Sequence, residues 1–269
     1  MKPIRECIII GGKASGSHVL GKTRDRNYTP KLRLVRELIN GMEVVYLHDL
    51  YTDYLEGMNE LGIGLLNSAL LVGEDEKAVK GKVTSDDGPR MKKALEQSTL
   101  SDCIKSLVSY KDGIRGHTFV GSPKSLYSIE MTSKHNPVIN KLDPTTGFDV
   151  RTNHGEDHDG AGYTPDRKPD DYLSSKIRKA TARIELADTD DPSEIMPKLN
   201  QQHFETDSNY NMVRKTDNMR STSQVLMNLN DLEFTVYLLP DECKFVGLMD
   251  KTPEDHEPVI SVRVIEYNE

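Results

Sequence analysis

The chain has 269 residues, which is enough to bury a core without disulfide or metal support and suits one large domain or two small ones. Its net charge of −8 argues against a nucleic-acid partner, because neutralising phosphates requires an excess of Lys and Arg. No apolar stretch approaches the ~20 residues of a membrane span or forms a secretory signal, and three scattered cysteines do not make a disulfide framework, so we expect a cytoplasmic protein without membrane contact.

The first half of the chain carries mainly strand patterns. Runs of β-branched and aromatic residues bounded by glycine are typical of strands. They predict strands at residues 7–10, 18–24, 42–47, 61–72, 117–120 and 125–131, of which the first two could pair as a hairpin. Between them, helix-start signals at residues 86–89 predict one helix through Leu95 and the pattern of residues 101–110 predicts a second.

The second half begins with a polar stretch, residues 153–171, that holds little to bury. Apolar residues at helical spacing then predict a helix over residues 172–186, and Asp191 followed by Pro192 begins another. The remaining predicted strands cover residues 223–227, 233–239, 244–248 and 259–265. This order of strands and helices favours one layered α+β domain.

A phosphate-binding motif is matched by letter between Gly16 and Thr23, in the Walker A spacing. The mechanism requires Thr23 to open a helix whose N-terminus faces the phosphates. Pro30 leaves room for little more than one helical turn, and Val19-Leu20 is typical of a strand. We interpret the match as coincidental, with a nucleotide-binding protein as an alternative.

Cys7 has two interpretations. A cysteine at the head of an apolar run is ordinarily a small core residue. It would instead be a nucleophile if residues 1–6 were removed, since the freed α-amine, titrating near ~8, could accept the proton of a thiol that titrates near ~8.5. Such an enzyme needs a carboxylate to orient the amine and dipoles to hold the oxyanion.

Several short motifs occur in an order that suits the second interpretation. Glu56 to Gly64 reads Glu-Gly-Met-Asn-Glu-Leu-Gly-Ile-Gly and is the most specific of them. The others are residues 21–25, Asn67, residues 152–154, 174–178 and 220–225. Together they resemble the choloylglycine hydrolase and penicillin acylase family and its relative, the acyl-CoA:6-aminopenicillanic acid acyltransferase group, which are N-terminal nucleophile (Ntn) hydrolases.

The resemblance implies a role for each matching residue. Cys7 matches the nucleophile, and Asp25 matches the aspartate that hydrogen-bonds the amine and sulfur of the nucleophile. Asn67 and Asn153 match two asparagines associated with oxyanion stabilisation. Arg178 matches the arginine that completes the polar network. Taken singly, each of these could be an ordinary turn, surface or solvated residue.

One position departs from the family. Lys22 stands where the family usually has arginine, in Lys22-Thr23-Arg24-Asp25. Lysine keeps the positive charge but lacks the planar guanidinium fork, for which Arg24 is a partial substitute. This departure is the reason to keep a non-catalytic relative as an alternative.

The resemblance implies a four-layer αββα sandwich of two antiparallel sheets flanked by helices, formed by residues 7–269 after self-processing removes residues 1–6. It implies a hydrolase of linear amide bonds that acts through a thioester on Cys7. Acyl transfer to another amine uses the same thioester and stays open. The expected partner is a small-molecule amide of unidentified structure, and a homo-oligomer is possible.

A cation site is the last candidate. His154, Asp157, His158 and Asp159 lie close together, and two histidines four residues apart would suit zinc on a helix. The neighbouring glycines indicate a loop, and no third soft ligand is evident. We therefore expect a solvated acidic loop there, with no metal and no cofactor in the protein, and we interpret Cys103 and Cys243 as core residues.

Overall fold

The computed structural model describes residues 5–70, 87–109, 116–132, 136–143, 145, 147–157, 173–239 and 241–267. Within them the strands are β1 (Arg5–Ala14), β2 (Ser17–Arg26), β3 (Lys31–Ile39), β4 (Met42–Asp49), β5 (Tyr54–Asn59), β6 (Gly64–Ser68), β7 (Gly116–Ser122), β8 (Ser125–Met131), β9 (Val138–Lys141), β10 (Asp149–Arg151), β11 (Arg220–Asn228), β12 (Glu233–Leu238), β13 (Lys244–Asp250) and β14 (Ser261–Glu266). The α-helices are α1 (Asp87–Leu95), α2 (Leu100–Val108), α3 (Leu173–Glu185) and α4 (Pro192–Leu199).

The strands form two sheets. The six-stranded sheet has the order β10-β1-β2-β11-β12-β14, and the eight-stranded sheet has the order β13-β3-β4-β5-β6-β7-β8-β9. Neighbouring strands are antiparallel except for one pair at an edge of each sheet, where β14 runs parallel to β12 and β13 runs parallel to β3. Both sheets were expected to be antiparallel, and each differs from that expectation by one parallel strand at its edge.

Three apolar cores separate four layers. The core between the sheets contains Ile9, Leu34 and Phe119, among others. A second core joins α1 and α2 to the outer face of the eight-stranded sheet, and a third joins α3 and α4 to the outer face of the six-stranded sheet. In β1, Ile8 and Ile10 face the helices while Ile9 faces the other sheet, which is why the isoleucine run is continuous. The predicted four-layer αββα sandwich is confirmed.

The glycines of the segment between β5 and β6 allow a tight connection. Gly62 has φ of +72°, and a Cβ atom there would lie 2.3 Å from the backbone oxygen of Leu229. Only glycine adopts this left-handed conformation without steric cost and, lacking a Cβ atom, also avoids the clash. This turn brings β6, and with it Ser68, against the six-stranded sheet.

The Walker A match is coincidental, as predicted. Ser15 and Gly16 form the turn of the β1–β2 hairpin, and Ser17 to Arg26 is one continuous strand. Lys22 is buried in the middle of that strand, so no helix N-terminus follows Thr23 to face a phosphate. Val19 and Leu20 lie within this strand, as their residue types predict.

Two further findings concern the rest of the chain. Among the described residues, no helix is both long enough and apolar enough to cross a membrane. Cys103 and Cys243 are buried free thiols, as predicted, and burial raises their pKa values to about 12 and about 11.

Candidate active site

The β1–β2 hairpin distributes its polar residues between two faces of the six-stranded sheet. Cys7 lies opposite Arg24, and Glu6 lies opposite Asp25. Residues directly opposite each other in an antiparallel pair share a face, and neighbours along a strand alternate. Cys7 therefore faces the space between the sheets, whereas Asp25 faces α3 on the other side.

Cys7 is buried, with 2% of its surface exposed, and each of its polar atoms meets a partner. Its backbone nitrogen donates to Asn153 Oδ1 at 3.3 Å, and its carbonyl oxygen accepts from Ser68 Oγ at 3.3 Å. The Nη1 atom of Arg26 donates to Sγ at 3.6 Å. The pKa of Arg26 is raised, because the charges of Cys7, Tyr28 and Asp49 outweigh the lowering effect of burial.

Asn153 is fixed in one orientation by contacts on both sides of its carboxamide. Its Nδ2 atom donates to Ser68 Oγ at 3.1 Å and to the backbone oxygen of Ala69 at 2.7 Å. Its Oδ1 atom accepts from Arg178 Nη2 at 3.1 Å as well as from Cys7. The amide oxygen, and not the NH2 group, thus faces the nitrogen of Cys7.

Asp25 and Glu6 share two guanidinium groups on the helix side of the sheet, which we call the arginine clamp (Arg178 and Arg214). Asp25 Oδ2 accepts from Arg178 Nη1 at 3.0 Å and from Arg214 Nη2 at 2.9 Å. Glu6 Oε2 accepts from Arg178 Nη2 at 3.1 Å and from Arg214 Nη2 at 2.8 Å. Burial and the neighbouring charge of Arg214 lower the pKa of Arg178 to about 10. Asp25 and Arg178 are fully buried, which excludes the alternative that they are ordinary surface residues.

A second group of charges lies between the two sheets. Three cations from β2 face two carboxylates from the eight-stranded sheet, and we call these residues the inter-sheet cluster: Lys22, Arg24, Arg26, Asp49 and Glu56. Burial alone would raise the pKa of Glu56, but the charges of Arg24 and Lys22 lower it. The cluster has one more cation than anion, and Cys7 Sγ lies at its edge. A negative charge on sulfur would balance it.

Lys22 contacts the opposite sheet. Its Nζ atom lies 2.9 Å from Glu56 Oε2 and 3.3 Å from the hydroxyl oxygen of Tyr54, over whose ring it sits at 4.4 Å. The pKa of Lys22 is lowered, because burial outweighs the charges of Cys7 and Glu56. Lys22 thus binds Glu56 and Tyr54 of the opposite sheet.

The side chain of Asn67 lies apart from the other predicted site residues. In β6, Leu66 belongs to the core between the sheets, so Ser68 also faces Cys7 and Asn67 faces the opposite way. Asn67 Nδ2 donates to Thr118 Oγ1 at 3.0 Å on that outer face. The structure brings Ser68 to Cys7 in its place.

No protein-family model matches the sequence, and no curated protein does. Among solved structures, the chain is similar to penicillin V acylase from Agrobacterium tumefaciens, with 10% sequence identity, a TM-score of 0.43, and 87% of this chain and 85% of that chain covered. So low a likeness says nothing of chemistry. The function is therefore inferred from the contacts of Cys7 and its neighbours.

The expected solvated loop after Asn153 begins with a buried histidine. His154 is buried, and its Nδ1 atom lies 2.9 Å from Ser175 Oγ, which also accepts from the backbone nitrogen of Asn153. Burial and the charge of Lys179 lower the pKa of His154 to about 4, so it is neutral at pH 7. Residues 158–171 lie outside the described residues, and among those described no cluster of three metal-ligating side chains occurs.

Sequence reasoning missed several residues of this site. Glu6 and Arg214 bind the charged groups of the site, and Arg26 and Ser68 contact Cys7. Ser221 Oγ donates to Asp25 Oδ1 at 2.6 Å. Arg26 could have been found, because it continues the two-residue alternation of cations along β2. Arg214 carries no local signal, since it lies before β11 and reaches Asp25 only through the fold.

Proposed function

We propose that this chain is a cysteine amidohydrolase whose nucleophile, Cys7, becomes the first residue when the chain cuts its own Glu6–Cys7 bond. One observation carries the proposal: the Cys7 nitrogen donates to Asn153 Oδ1, which Arg178 joins to Asp25. An amine freed at this nitrogen would be oriented beside its own sulfur. It would then need no histidine to accept the thiol proton.

Arg26 supports the self-processing step. Its Nη1 atom lies 3.3 Å from the carbonyl oxygen of Glu6 and 3.6 Å from Cys7 Sγ, so one guanidinium contacts both reacting groups. As Sγ attacks the carbonyl carbon, the oxygen gains negative charge that the guanidinium stabilises. The C–N bond then breaks, the thiol proton passes to the Cys7 nitrogen, and a thioester forms. Water cleaves it, releasing the leader (residues 1–6) as a carboxylic acid.

Turnover of an external amide repeats this chemistry. The free amine of Cys7 takes the thiol proton, and Sγ attacks the substrate carbonyl while Arg26 donates to the oxyanion. The amine passes its proton to the departing nitrogen, and water, deprotonated by the same amine, hydrolyses the thioester. Asn153 orients the amine through Oδ1, and Asp25 holds Arg178 in place.

N-terminal sequencing and intact-mass analysis of purified protein test the proposal. The wild-type chain and a Cys103→Ala control are expected to begin at Cys7 after incubation, whereas Cys7→Ala retains the leader. Wild-type protein that keeps residues 1–6 through a long incubation contradicts the proposal. A Cys7→Ala chain that loses them identifies a foreign protease as the agent.

Arg26 is tested separately from the nucleophile. Arg26→Gln is expected to slow leader removal ~10²- to 10³-fold, which is the typical effect of losing one oxyanion donor. Arg220→Gln, on the neighbouring strand β11 and 48% exposed, is the matched control and should process at the wild-type rate. Urea unfolding of both variants shows whether a slow rate reflects misfolding.

A further inference from the structure

The arginine clamp binds the side-chain carboxylate of the residue that precedes the nucleophile. Glu6 Oε2 lies within 3.1 Å of Arg178 and within 2.8 Å of Arg214. Among the described residues, the two guanidinium groups of the clamp pair with two carboxylates, Asp25 and Glu6, so the charges balance. Glu6 is therefore part of the site as well as part of the leader.

Removal of the leader would disturb this balance. Arg178 and Arg214 are 0% and 4% exposed, and of the carboxylates in the described part of the chain that pair with them, Asp25 alone would be left. A buried charge without its partner is strongly unfavourable. The vacated position can be reached from solvent, because the Glu6 side chain itself is 15% exposed.

On the basis of the proposed self-processing, we propose that the vacated position binds a carboxylate on the acyl chain of the substrate. The leader thioester on Cys7 is chemically an acyl-enzyme, so Glu6 occupies the place of the acyl group in turnover. Three carbon atoms separate its main-chain carbonyl from its side-chain carboxylate. A glutaryl amide, or an amide of the α-carboxyl group of glutamate, has the same spacing.

The reaction on such a substrate is ordinary hydrolysis. Sγ displaces the amine from the glutaryl carbonyl, the proton goes to that amine, and water releases glutarate from the thioester. The carboxylate stays bound to Arg178 and Arg214 throughout, so it fixes the carbonyl in front of Sγ. Acyl chains of the same length without the carboxylate would lack this anchor.

Hydrolysis of two p-nitroanilides by the leader-free protein tests the proposal. N-Glutaryl p-nitroanilide is expected to be cleaved with a kcat/KM ~10- to 100-fold above that of N-pentanoyl p-nitroanilide, as for a lost charged hydrogen bond. Arg214→Gln should reduce this ratio several-fold, because Arg178 alone then binds the carboxylate, while Arg220→Gln should keep it. Equal cleavage of both anilides by the wild-type protein overturns the carboxylate site and leaves the hydrolase proposal intact.

A binding measurement on wild-type protein covers the case in which Arg214→Gln does not fold. Glutarate is expected to slow the alkylation of Cys7 by iodoacetamide, whereas pentanoate at the same concentration leaves the rate unchanged. Equal rates with and without glutarate overturn the proposal. Protein that keeps its leader and cleaves neither anilide refutes the proposed function, and the carboxylate site with it.

Discussion

Replacing Asp25 with asparagine removes a buried charge while keeping the shape of the side chain. Asp25 accepts hydrogen bonds from both guanidinium groups of the arginine clamp and from Ser221, and none of its surface is exposed. Losing one partner of such a buried group typically costs ~3–5 kcal/mol. Since whole domains are stable by only ~5–15 kcal/mol, a large share of the free energy of unfolding should disappear.

Urea unfolding measures this loss. The experiment is best done in a Cys7→Ala background, in which every molecule keeps Glu6. With a slope near ~3 kcal/mol per M, Asp25→Asn should lower the midpoint by ~1–2 M, followed by circular dichroism or by the fluorescence of the 11 tyrosines. Glu194→Gln, which breaks a surface pair and is 53% exposed, should change the free energy by less than ~0.5 kcal/mol.

A second substitution tests the cause. In the Asp25→Asn chain, Glu6 is the one carboxylate among the described residues that still pairs with Arg178 and Arg214, so adding Arg214→Gln restores one cation to one anion. The double variant is expected to recover part of the lost stability. A free energy of unfolding for Asp25→Asn within ~1 kcal/mol of its parent would refute the electrostatic account of the clamp.

Three other substitutions test the sandwich around the site. Burial raises the pKa of Glu56, but the charges of Arg24 and Lys22 lower it below its ordinary value of 4.5. The ionised carboxylate therefore stabilises the fold fully above pH 4.5, and this stabilisation is lost as the pH falls further. In urea titrations at pH 7 and pH 3.5, Glu56→Gln should be ~3–5 kcal/mol less stable than the wild type at pH 7 and should lose less stability than the wild type on acidification. Lys22→Arg should cost ~1–3 kcal/mol in the same assay, because the larger guanidinium must fit between Glu56 and the ring of Tyr54. Gly62→Ala should cost at least ~1–2 kcal/mol, and a thermal midpoint equal to that of the wild type would contradict the strained turn.

The strongly patterned elements were predictable from the sequence. The helix predicted over residues 172–186 is Leu173–Glu185, and Asp191 caps α4 by accepting from the backbone nitrogen of Ser193. Local periodicity and capping suffice for such elements, because both depend on residues close in sequence.

The strands that the sequence did not predict are β3, β5, β9 and β10. In β5 a glutamate and a glycine, Glu56 and Gly57, lie where a strand pattern would need apolar residues, yet both are buried. Glu56 can be buried because Lys22 and Arg24 reach it from the other sheet. Pairing across layers is set by the fold and leaves no local pattern.

The candidate site shows the same limit. The motifs with fixed order pointed to Cys7, Asp25, Asn153 and Arg178, and these four residues lie in one hydrogen-bonded network. A sequence motif can predict a set of neighbouring residues, but it does not predict which of their atoms form hydrogen bonds. That the amide oxygen of Asn153 faces Cys7 follows only from the fold.

The inter-sheet cluster also determines how the two sheets lie on each other. Apolar side chains tolerate sliding, because one methyl group packs against another almost equally well after a small translation. An ion pair such as Lys22–Glu56, 2.9 Å long and shielded from water, does not tolerate a displacement of one strand spacing, which is ~4.8 Å. A misaligned stacking of the two sheets would therefore bury charges without their partners. Because such arrangements are unfavourable, the ion pairs favour the one correct alignment.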